Sequence, residues 1–76
     1  MPVVLRKDGY RFFFFSNEGN EPAHIHVRKG GAVAKFWLGP VRQQLNEGFK
    51  PPEIRRILEI LDAHETELIE AWNEHE

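Results

Sequence analysis

The chain has no cysteine. Disulfides and thiolate metal sites are therefore excluded. That absence matters at this size. A single domain of 76 residues buries only about 60–65% of its unfolded surface, and small scaffolds commonly need a staple. What is left is a histidine–carboxylate metal site, a partner protein or very good packing. A long apolar run is missing too. No stretch reaches the roughly 18 residues of a membrane span. Arg6, Lys7 and Asp8 interrupt the N-terminus before a secretory leader could form. The expectation is one cytoplasmic domain, residues 1–76, with no membrane role. Internal repeats and low-complexity tracts are also lacking.

Charge is present but unevenly placed. Residues 1–38 carry six basic and three acidic side chains, a net of +3. Residues 39–76 carry four basic and nine acidic, a net of −5. A basic half suits RNA or an acidic partner. An acidic solvent face on a C-terminal helix accounts for half of the asymmetry without a ligand.

Turn signals divide the first half into strands. Val3 to Arg6 is a short strand, and Asp8-Gly9 is a strong hairpin turn because a type I′ turn needs positive φ at both central positions. Tyr10 to Phe15 follows, its phenylalanine run aromatic on both faces. Residues 16–22 form a polar loop rich in Gly, Asn and Pro. Ala23 to Lys29 and Ala32 to Leu38 are two more strands around Gly30-Gly31. Gly39-Pro40 ends the series. Short connections imply an antiparallel meander.

The second half, residues 40–75, reads as helical. Pro40 suits the start of a short helix through about Glu47, with Val41 and Leu45 on one side and Gly48 as its stop. Pro51 or Pro52 opens a long helix, with Glu53 in its first turn. Ile54, Ile57, Leu58, Leu61, Leu68 and Trp72 recur at helical spacing. The fold class is thus α+β: a four-stranded meander, with a short helix and a long C-terminal helix packed on one face.

One strand carries the chemistry. In His24-Ile25-His26-Val27-Arg28 the β-branched residues alternate with polar ones. Ile25 and Val27 face the core. His24, His26 and Arg28 line the other face, away from the helices or at the sheet's end. Arg11, Lys35 and Trp37 are candidate companions there, with Phe13 and Phe15.

Tyr10-Arg11-Phe12-Phe13-Phe14, Ser16-Asn17-Glu18, Glu21-Pro22 before His24-Ile25-His26-Val27, Ala34-Lys35-Phe36-Trp37-Leu38 and the late Ala71-Trp72 occur in this order. With these segments the chain resembles the small prokaryotic family called domain of unknown function 4160, from about Pro2 to Asn73. Ala23 stands where a second proline is common. Members are often encoded beside a second small domain, in a pair that looks like a toxin–antitoxin module. The resemblance implies the toxin-like component, with a small antitoxin from a neighbouring gene as partner. It supplies no catalytic mechanism.

Three uses of the histidine strand stay open. Metal-independent RNA cleavage needs a proton acceptor, a proton donor and cations for the phosphorane. His24 and His26 suit the proton roles. Arg28, Arg11 or Lys35 would hold phosphate, Trp37 would serve as a platform, and Glu18 or Glu21 would orient an imidazole. A metal could take His24 and His26 with Glu21 or Glu18. No third histidine is near, since His64 lies mid-helix and His75 at the tail, so no metal or other cofactor is assigned. The face could instead bind without cutting: to RNA, to the antitoxin or to a second copy as a homodimer. The plainest alternative makes both histidines ordinary strand residues with local hydrogen bonds. The leading expectation is action on RNA through this face, with catalysis undecided.

Overall fold

The computed structural model describes residues 3–15 and 21–75. Five strands precede one helix: β1 Val3–Lys7, β2 Tyr10–Phe13, β3 His24–Lys29, β4 Ala32–Trp37, β5 Arg42–Glu47 and α1 Pro51–His75. The strands form one antiparallel sheet in the order β1-β2-β3-β4-β5. The α+β class and the meander stand. The first hairpin is built as its sequence requires, with positive φ at Asp8 (54°) and Gly9 (85°).

The short helix expected after Pro40 is a strand. Residues Arg42–Glu47 pair with β4 instead, and the sheet has five strands rather than four. The expected helix rested on Val41 and Leu45 being four apart, one helical turn. Val41, however, precedes the strand and packs against the core while Leu45 lies exposed, so the two form no common stripe. Helix propensity favours Gln, Leu and Glu, but a helix this short is marginal alone and these two apolar groups offer it little to bury. Pairing supplies partners for the outer N–H and C=O groups of β4. Gly39, at φ +70°, begins the reversal, and its N–H donates to Glu65 Oε2 (3.1 Å) on the helix.

Gly48 is correspondingly not a helix stop. It has φ +105°, and a Cβ there would lie 3.1 Å from the Ala32 Cβ. Only glycine lets the chain leave β5 this close to β4. Asn46 then closes the bend: its Nδ2 donates to Phe49 O (3.0 Å), and Phe49 N donates to its Oδ1 (3.1 Å).

The long helix starts as predicted. Pro51 and Pro52 occupy positions whose N–H groups would have no intrahelical acceptor. The Glu53 carboxylate accepts from Lys50 N (3.0 Å), the N3-to-N-cap half of a capping box. The stripe Ile57, Ile60, Leu61, Leu68 and Trp72 is buried against one face of the sheet. That face supplies Tyr10, Phe12 and Phe14, Ile25 and Val27, and Ala34, Phe36 and Leu38. Arg56 ties the helix to the first hairpin through Asp8 Oδ2 (2.6 Å) and also meets Glu59. Hydrogen bonds to these carboxylates push the Arg56 pKa above its ordinary value. No helix among the described residues is long and apolar enough to cross a membrane.

Candidate nucleic-acid interface

One helix covers one side of the sheet. The other side carries no second layer among the described residues, and the pleat sends every alternate strand residue to it. Paired registers arrange these residues in rows across the strands. Val3, Phe13, His26, Lys35 and Leu45 make one row. Arg6, Arg11, Arg28, Val33 and Glu47 make the next, toward the hairpin ends. His24, Trp37 and Arg42 lie at the opposite end.

The arginine row is the least expected feature. Arg6 stands opposite Arg11, and Arg11 opposite Arg28. All three are exposed. Neighbouring strands are about 4.8 Å apart, so three guanidinium stems sit side by side within about 10 Å. Like charges directly opposite are destabilising. No carboxylate among the described residues forms an ion pair with any of the three. A local conflict of this kind characteristically marks a functional surface.

The two strand histidines have different fates. His24 lies at the sheet's end with no exposed surface. Its ring packs on Trp72 (4.7 Å between centroids), His26 (5.3 Å) and Trp37 (5.8 Å). Its Nδ1 lies 3.0 Å from Pro22 O. A carbonyl only accepts, so Nδ1 carries the proton in this bond. Glu21 Oε1 is 3.6 Å from the same nitrogen. Trp72 reaches His24 from the far end of the helix, a contact that strand alternation alone does not reveal. A group without accessible surface cannot take a proton from a ligand on this face in the arrangement seen. His26 is only half-buried. It stacks on Phe13 (5.6 Å, 19°) and meets Phe15 edge-on (4.3 Å, 69°).

The other sequence candidates are distributed around this pair. Arg11 and Arg28 stand together, as described. Lys35 is committed to Glu21 (2.9 Å) and also lies over the Trp37 ring (5.0 Å). Glu21 thus sits between Lys35 and His24, where it braces both. Trp37 is half-buried under Lys35 and His24. Glu18 lies outside the described residues. Among those described, no group of three His, Asp or Glu side chains is placed to hold a metal ion.

Sequence reasoning missed Arg6, Val3 and Leu45. Arg6 was legible: a two-residue turn at Asp8-Gly9 pairs Lys7 with Tyr10 and hence Arg6 with Arg11. Leu45 was hidden by the helix assignment. Val3, Phe15 and Leu45 are the exposed large hydrophobics of the described chain. Val3 and Leu45 end the central row, and Phe15 flanks it against Phe13 and His26.

A five-stranded antiparallel sheet with one helix-covered face and one basic, aromatic face defines a small α+β domain. The family model for the domain of unknown function DUF4160 matches residues 9–73, and the chain belongs to that family. No curated protein and no solved structure matches it.

Proposed function

We propose that this protein is the toxin-like component of a two-gene module and acts by binding single-stranded RNA on its open sheet face. The observation that carries the reading is the row Arg6–Arg11–Arg28, exposed and without carboxylate partners among the described residues. Guanidinium groups grip phosphate bidentately, and aromatic side chains beside a cationic track stack unpaired bases. Phe15 and His26 supply that second element, with Trp37 farther along the same face. Binding accounts for the face better than cleavage does. A His24–His26 proton-transfer pair needs both rings at the ligand, and His24 is enclosed by Trp72 and Trp37.

A second reading rests on Val3, Phe15 and Leu45. Exposed apolar groups gathered on one face suit a protein partner. An antitoxin seated there would neutralise the protein by covering the RNA track, so the two readings are compatible.

Induced expression in bacterial cells tests the proposal. The wild type should arrest growth, and Arg28→Glu should relieve the arrest at equal protein level. Arrest by a folded Arg28→Glu protein equal to wild type would remove the face from the mechanism. No arrest by the wild type would remove the toxin reading.

A further inference from the structure

The open face is not flat. A cavity of about 260 Å³ opens on it, lined by Phe13, Phe15, His26, Arg28, Val33 and Leu45 among others. A second hollow of about 110 Å³ is lined by Val3, Arg11, Phe13 and Arg28. The two share Phe13 and Arg28 as a common wall. One is apolar with aromatic sides. The other is rimmed by Arg11 and Arg28, which are cross-strand partners on β2 and β3.

We infer that these hollows form a subsite for a single nucleotide, with the base in the aromatic cavity and its phosphate between Arg11 and Arg28. This deepens the RNA reading and rests on it. The dimensions agree. The larger cavity is below the roughly 300–1,000 Å³ typical of clefts for drug-sized ligands, which suits one planar ring system. Arg11 and Phe13 are two residues apart on β2, about 7 Å along the strand. That is the reach from a phosphate to the base of the same nucleotide. The walls match as well. Phe13 and Phe15 meet edge-on at 88°, and the buried Phe13 lies parallel to the His26 imidazole, so the three rings brace one another into a packed wall against which a base can rest. Leu45, on the edge strand, closes the far side and is itself exposed.

A peptide with an aromatic side chain beside a carboxylate is the competing occupant. The guanidinium pair favours phosphate, because a third arginine, Arg6, extends the same row. A chain with repeating charge would use it, whereas a lone carboxylate would not.

The test is an amide and imidazole shift titration of the whole protein with AMP, adenosine and inorganic phosphate in turn. A labelled oligoadenylate is titrated in parallel by fluorescence anisotropy. AMP should move signals of Phe13, His26 and Leu45 together with those of Arg11 and Arg28. Adenosine should move the first group and phosphate the second. Leu45→Trp fills the cavity from an exposed position. It should weaken AMP roughly 5- to 140-fold, the range of one lost base stack. The oligomer should retain salt-sensitive binding through the arginines. If AMP reproduces only the phosphate pattern while the oligomer binds, the subsite is wrong and the RNA reading stands. If the oligomer does not bind, the RNA reading is wrong. Displacement of AMP by an acidic aromatic peptide that binds far more tightly would give the cavity to a protein partner.

Discussion

The two faces of this sheet share strands, register and pleat, and they differ in almost everything else. Toward the helix, Phe12, Phe14, Ile25, Val27, Ala34 and Phe36 are buried with scarcely a polar atom among them. Away from it, the alternate positions hold arginines in register, stacked histidine and phenylalanine rings, and exposed Val3, Phe15 and Leu45. Stability resides on the first face. The second keeps features that cost stability, above all adjacent like charges, so something other than folding accounts for them. The chain's edges point the same way. Both pairings that involve an edge strand carry a register irregularity, while the two central pairings have none. Bulges on edge strands discourage strand addition, which agrees with the proposal that a partner meets the open face.

Substitutions should separate the faces. The largest effect is expected from Phe36→Ala, which empties the core under the helix. It should cost about 3–5 kcal/mol, a large part of the roughly 4–11 kcal/mol expected for a domain of this size. Urea denaturation measures it. The histidine pair gives a sharper contrast. His24→Ala removes a buried ring and its bond to Pro22, and should cost about 2 kcal/mol or more. His26→Ala should cost less, about 1 kcal/mol, but should weaken RNA binding more. Equal stability losses would erase the distinction drawn between the two rings.

Arg28→Glu should act in the opposite sense on the two properties. It places a carboxylate opposite Arg11, so stability should rise by about 0.2–1 kcal/mol. RNA affinity should fall at least about tenfold, as a phosphate contact turns repulsive. Few core positions could raise stability and lose function together. The smallest effect is expected at Arg56, whose ion pair with Asp8 is exposed. Arg56→Ala should leave RNA affinity unchanged and hardly move the thermal midpoint. A loss of binding there would mean that the helical side takes part.

Much of this contrast was legible in the chain itself. Alternation in Ile25-His26-Val27 assigned the two faces. The Asp8-Gly9 turn set the register of Arg6 and Arg11, and Pro51, Pro52 and Glu53 marked the helix start. What the chain withheld was long-range. Arg11 meets Arg28 across a ten-residue connection whose geometry no turn rule supplies. His24 is enclosed by Trp72, 48 positions later. β5 was misread because the four-residue spacing of Val41 and Leu45 mimics a helical turn, and pairing with the free edge of β4 overrides it. In each case a distant part of the chain overrode or completed a local signal.

The central claim is that the arginine row holds RNA phosphates, and the salt dependence of binding tests it most directly. Three phosphate contacts to single-stranded RNA should give a slope of about −2 in log affinity against log salt. The Arg6→Gln, Arg11→Gln, Arg28→Gln triple variant should bind more weakly, with a slope near zero. An unchanged slope in that variant, or no measurable RNA binding by the wild type at low salt, would contradict the account.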